Sequence, residues 1–150
     1  MTFIESETIE LKSSVVADLC KEVIAFANTR GGTLYIGVED NGTVIGVDSA
    51  DRVTLHNMVR DSIKPDITMF VHYETQVIND KQIIAVTVQE GTDRPYYLGS
   101  KGLKPSGVYV RNGTSTDPAS DTAIRKMIKE TDGDSFETMR SLEQNLSFQA

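Results

Sequence analysis

Ala25-Phe26-Ala27-Asn28-Thr29-Arg30-Gly31-Gly32, running on into Thr33-Leu34-Tyr35-Ile36-Gly37-Val38, is the stretch on which the reading of the fold turns. Upstream of it Val16, Leu19, Val23, Phe26 and Ala27 recur at spacings of three and four, which puts them on one face of a helix over 15–28. Gly31-Gly32 offers a stop, because glycine takes the left-handed conformation past a last turn at no steric cost. Over 33–38 the residues alternate, with Leu34, Ile36 and Val38 on one side of a strand. A helix that ends in paired glycines and passes directly into a strand implies a mixed, α+β chain.

Working outward, Thr8-Ile9-Glu10-Leu11-Lys12 reads as a short half-buried strand, with Ser13 and Ser14 as caps for the helix that follows. Asp40-Asn41-Gly42 signals a turn and 43–47 returns as the partner of 33–38. A second helix fits 51–63, with Val53, Leu55, Met58, Val59 and Ile63 apolar and Pro65 ending it. Two alternating runs, 69–77 and 82–89, make a hairpin through Asn79-Asp80-Lys81. Residues 91–107 read as a surface loop and 108–111 as a strand. Asp117-Pro118 begins a third helix that reaches about Lys129, and Asp132-Gly133-Asp134 breaks it. The expected fold is α+β, a mixed sheet of about six strands with three helices over residues 1–132. Residues 133–150 form a helical tail whose Phe136, Met139, Leu142, Leu146 and Phe148 need a surface, as at a junction to a further domain.

Composition bounds the function. A chain of 150 residues, 39% hydrophobic and 25% charged, has the size and balance of one folded domain. Cys20 is the sole cysteine and His56 and His72 the only histidines, which excludes an internal disulfide and argues against a cysteine or histidine metal centre. No signal peptide and no membrane-length apolar run are visible, so the cytoplasm and no membrane partner are expected. The net charge of −7 requires a phosphate-binding surface to be local. Only residues 91–130 are net basic, with seven basic against four acidic groups.

Several motifs stand in order: Glu5-Ser6-Glu7-Thr8-Ile9-Glu10-Leu11-Lys12, Ala25-Phe26-Ala27-Asn28-Thr29-Arg30-Gly31-Gly32, Gly37-Val38-Glu39-Asp40 with Gly42 and Gly46-Val47, and Val108-Tyr109-Val110-Arg111-Asn112-Gly113-Thr114-Ser115. Their ordered combination closely resembles the Schlafen-type AlbA-like domain over roughly residues 1–130. The resemblance implies a mixed αβ domain that contacts nucleic acid, DNA or RNA. Many prokaryotic relatives carry it as the N-terminal module of transcriptional regulators. It also implies an alternative: relatives that cleave structured RNA use three acidic residues and a divalent cation. Those three fall by motif position on Glu5, Glu10 and Asp40, as catalytic residues and metal ligands, with Lys12 beside them. A homodimer of this single lobe is the implied assembly, and a dimerisation or protein-interaction module is a third reading.

The chemistry is compatible with those residue types. Mg²⁺ or Mn²⁺ takes oxygen ligands and polarises a phosphate, and a lysine can balance developing charge. Residues five apart in an unbroken strand face opposite ways, so Glu5 and Glu10 converge only if the chain bends near 6–8. Glu10–Lys12 can equally be a surface ion pair, and Asp40 an ordinary turn residue. For binding, Arg94, Lys101, Lys104 and Arg111 are the basic candidates, and Asn112, Thr114, Ser115 and Thr116 the hydrogen-bond donors to phosphate. Tyr96 and Tyr97 either stack on bases or pack under the loop. Asn28 and Thr29 read as structural caps. A phosphate-binding loop of the ATPase kind is not expected, since Gly31-Gly32 follows a helix and precedes a strand, the reverse of the required order.

Overall fold

The computed structural model describes the backbone of residues 2–142 and the side chains of residues 2–131. Its centre is a four-stranded mixed sheet in the order β1 (Ile9–Lys12), β2 (Gly32–Ile36), β5 (Lys81–Val88), β4 (Val71–Ile78). β1 and β2 run parallel, which demands a crossover, and α1 (Leu19–Asn28) supplies it. The other pairings are antiparallel, with Ile36 opposite Ile84 and Val71 opposite Val88. The β4–β5 hairpin closes through Asn79 and Asp80, both at positive φ (53° and 64°), the two-residue geometry that follows the sheet's twist.

Alternation divides the sheet's side chains between two cores. Leu34, Ile36, Ile84, Val86 and Val88 face α1 and join Leu19, Val23, Ile24, Phe26 and Tyr96. Leu11 and Ile83 face the other way and pack with Phe3 and Val38. Val38 therefore lies on the opposite face from Leu34 and Ile36, because Gly37 at φ 101° breaks the alternation expected over 33–38. α1 is buried nearly all round, held between the sheet and α2 (Asp51–Ser62), β6 (Tyr97–Leu98), β7 (Tyr109–Asn112) and β8 (Ser115–Pro118). β7 and β8 form a ribbon, as do β3 (Ile63–Lys64) and β6. The α+β class, the mixed sheet and three α-helices stand, with eight strands among the described residues, four of them in the main sheet.

Several local expectations are corrected. α1 begins at Leu19 and not at 15: Ser13 and Ser14 cap nothing, and the β-branched pair Val15-Val16 stays in the connection, Val16 being exposed. Residues 43–47 pair only at Val38–Val44, and the amides of Ile45 and Gly46 both donate to the Gly37 carbonyl (2.8 and 3.0 Å). Val53 points to solvent from α2. The loop 91–107 contains the short strand β6. Asp117-Pro118 closes β8, where the Asp117 carboxylate accepts from Ser115 Oγ (2.8 Å) and Asn112 Nδ2 (3.2 Å). The third helix, α3 (Asp121–Leu142), starts later with Ser120 Oγ accepting the Ala123 amide at 3.0 Å, and runs through Asp132-Gly133-Asp134 without a break. Of the expected tail, the side chains of Phe136, Met139 and Leu142 and all of 143–150 lie outside the described residues. Among the described residues no helix is long and apolar enough to cross a membrane.

Candidate nucleic-acid interface

The site begins at a chain reversal. Ser6 N–H donates to the Ile9 carbonyl (2.9 Å) and Ile9 N–H to the Ser6 carbonyl (3.4 Å), with Glu7 and Thr8 at the corner. This is a bend at the place where convergence of Glu5 and Glu10 requires one. Glu5 folds back along β1, its Oε2 accepting the Leu11 amide at 3.2 Å, and stands close enough to help raise the pKa of Glu10. Glu10 and Lys12 share the face of β1 that looks at α1, so both enter the interior beside the helix.

Four charges interlock there. Arg111, on β7, is only 4% exposed and donates from Nη1 to Glu10 Oε1 (2.7 Å) and Thr116 Oγ1 (3.1 Å). Its Nη2 donates to the carbonyls of Ser6 (2.7 Å) and Ile9 (3.1 Å), closing the turn, and its guanidinium lies 5.1 Å from the Phe26 ring. Lys12 Nζ stands 3.0 Å from Glu22 Oε2 and 3.8 Å from Glu10 Oε2. Burial pushes the Glu10 carboxyl up to about 7, with Glu22 and Glu5 adding to the rise against the lowering pull of Arg111. Burial works against the ammonium of Lys12, but the hydrogen bond and charge of Glu22 outweigh it and hold its pKa above the ordinary value.

Above this network lies a cleft of about 310 Å³ between β1, the start of α1 and the tip of the β7–β8 ribbon. Glu10, Lys12, Asp18, Lys21 and Glu22 line one side, and Thr114, Ser115 and Thr116 the other. Thr114 and Ser115 are exposed at its rim. Lysines facing hydroxyls suit a sugar–phosphate backbone, which needs cations and hydrogen-bond donors together.

The other sequence candidates divide. Lys101 and Lys104 are exposed on the loop before β7, and Arg94 is half-buried and paired with Glu90 at 2.9 Å. Tyr97 is half-buried against the small core of Val108, Ala119, Ile124 and Met127. Two expectations are corrected. Tyr96 is fully buried under the loop, its amide donating to Asn28 Oδ1 at 2.7 Å, and offers no face to a base. Arg111 spends its guanidinium on the interior and is a clamp, not a surface contact.

Asp40 is exposed in the Asp40-Asn41-Gly42 turn. Among the described residues no group of three or more Asp, Glu, His or Cys could hold a metal ion. Glu10 is already committed to Arg111 and Lys12, and Glu5 to the Leu11 amide. As arranged, the three expected ligands do not fit Mg²⁺ or Mn²⁺, and no step is derived through either ion. The sequence reading passed over Lys21, Asp18 and Glu22. Glu22 carried a signal, since it follows Leu19 by three and precedes Phe26 by four and so sits within the buried stripe.

Two solved structures are similar to this chain in fold. The DIP2311 protein from Corynebacterium diphtheriae matches with a TM-score of 0.62 at 19% identity, over 83% of this chain. This chain spans 27% of that protein, and the likeness speaks to the fold alone. The N-terminal domain of a protein from Nitrosomonas europaea, named as related to the ATP-dependent DNA helicase RecG, matches with a TM-score of 0.56 at 30% identity. That alignment covers 74% of this chain and 82% of that domain. The family model described as Schlafen, AlbA_2 matches residues 5–120, which hold the turn, the buried charge network and the cleft, and the chain belongs to that family.

Proposed function

We propose that this chain is a nucleic-acid-binding domain serving as the N-terminal module of a transcriptional regulator. The observation that carries the reading is the cleft in which Lys12 and Lys21 face the hydroxyls of Thr114, Ser115 and Thr116, with Lys101 and Lys104 exposed on the neighbouring loop. Family membership and the likeness to the N-terminal domain of a helicase-related protein support it. On a chain of net charge −7 such a surface is local, so affinity is modest and salt-sensitive. Fluorescence polarisation with labelled DNA and RNA, at about 50 and 200 mM salt, tests it. Binding weakens with salt, and the triple variant Lys21→Ala, Lys101→Ala, Lys104→Ala binds about tenfold more weakly with a shallower salt slope. Absent or salt-indifferent binding overturns the reading.

A second reading, a divalent-metal-dependent endoribonuclease using Glu5, Glu10 and Asp40, has one observation in its favour, the turn that brings Glu5 beside Glu10, and requires Glu10 to release Arg111 and Asp40 to move in from its exposed turn. Its test is cleavage of end-labelled structured RNA with Mg²⁺ or Mn²⁺, lost in the Glu10→Ala, Asp40→Ala variant. A homodimer accompanies either reading, and light scattering across protein concentration decides it.

A further inference from the structure

The clamp leaves two buried side-chain atoms without a hydrogen-bond partner among the described residues, Arg111 Nε and one oxygen of Glu22, and only Glu22 lines the cleft. Its Oε2 meets Lys12 Nζ, but Oε1 is buried with no hydrogen-bond partner among the described residues. The residue is 7% exposed and lines the cleft. An ionised carboxylate oxygen without a donor is costly, and nearly all buried polar atoms find one. The terminal torsion of glutamate is broad, so turning an oxygen toward the cleft that Glu22 lines costs little in torsional energy. Among the described residues no aromatic ring lines the cleft, so discrimination there falls to hydrogen bonding and not to stacking.

We infer that Glu22 is a specificity-determining residue that accepts a hydrogen bond from the nucleotide held in the cleft. Lys12 and Lys21 engage its phosphates, and Thr114 and Ser115 flank them. This rests on the nucleic-acid reading above. The free oxygen is an acceptor only, so the ligand must donate. A nucleotide offers three kinds of donor to a carboxylate: an exocyclic base amine, the ring imino N–H of thymine, uracil or guanine, and a ribose 2′-hydroxyl. All use the same chemistry, and a nucleotide with none of them leaves the oxygen unsatisfied.

Four single-stranded homopolymers separate the sources: N3-methyl-dT has none of them, dT the imino N–H, dC the amine and N3-methyl-rU the hydroxyl. Polarisation titrations of the wild-type protein show N3-methyl-dT weakest, and by about tenfold against whichever polymer carries the donor read. Preference for dC over N3-methyl-dT assigns the amine, for dT over N3-methyl-dT the imino N–H, and for N3-methyl-rU over N3-methyl-dT the hydroxyl. In Glu22→Gln, Lys12 holds the amide oxygen and leaves the NH₂ in the free position, so an acceptor becomes a donor. The preference between polymers vanishes, read as the ratio of their affinities, while a circular dichroism spectrum unchanged from wild type shows that the variant folds. Equal wild-type binding of all four polymers, or an equal loss on all four in Glu22→Gln, overturns the role of Glu22 and leaves the binding reading standing. No binding of any polymer overturns both.

Discussion

Arg111 is a surface cation in the sequence and an interior clamp in the structure. The difference lies in what faces it. Two carbonyls of the Ser6–Ile9 turn, the Glu10 carboxylate, Thr116 and the Phe26 ring together replace the water that a guanidinium would otherwise keep. Removing one partner of a buried pair strands the other, so Arg111→Met is expected to cost about 3–5 kcal/mol, read as a shift in urea unfolding. Glu10 gives a pH signature. Its folded carboxyl holds a proton up to about 7, against an ordinary 4.5. Between those values the folded state binds more protons than the unfolded one, so this group's contribution falls as pH rises through that window. Glu10→Gln removes the titration, so its stability relative to wild type rises by about 1–3 kcal/mol between pH 5 and pH 8, measured by denaturant midpoints.

At the scale of elements, two boundaries moved because side chains had better partners than the expected ones. Asp117 and Pro118 have the chemistry of a helix start, yet the turn at Gly113 (φ 58°) folds 115–118 back onto β7. Asp117 then serves the ribbon, and Ser120 takes over as cap. Ser120→Ala should therefore cost about 1 kcal/mol in thermal unfolding, as the loss of a cap does. Asp117→Ala should cost less, because its contacts are exposed. Gly37 ends β2 early and sends Val38 to the second core. A Cβ there would lie 3.1 Å from the Gly46 carbonyl carbon at a φ of 101°, so Gly37→Ala is expected to lose about 1–3 kcal/mol. Nothing in the alternation of 33–38 betrays that reversal.

For the whole molecule, Asn28 holds distant parts together. It reads as a cap at the end of a helix, but its side chain donates to the carbonyls of Tyr96 and Tyr109 (3.0 Å each) and accepts the Tyr96 amide, linking positions 68 and 81 residues away. Asn28→Ala leaves three buried backbone groups unpaired. The expected cost is on the order of 3–5 kcal/mol, with the loop 91–107 and β7 losing hydrogen-exchange protection together. The same tie fixes Tyr96 in the core and thereby removes it from any stacking role.

Periodicity and turn chemistry are local properties. That is why α1, α2, the β4–β5 hairpin and the α+β class were legible in the residues alone: spacings of three and four, strict alternation and Asn79-Asp80 act within a few positions. The bend that the separation of Glu5 and Glu10 demanded was also legible, as a condition without a location more precise than 6–8. Tertiary structure decided the rest. Whether Arg111 and Tyr96 face water, whether Asp40 joins Glu5 and Glu10, and which oxygen of Glu22 goes unpaired depend on neighbours 10 to 105 residues away. A charge's role is set by how completely its surroundings replace water, and those surroundings exist only once β1, α1 and β7 have packed together.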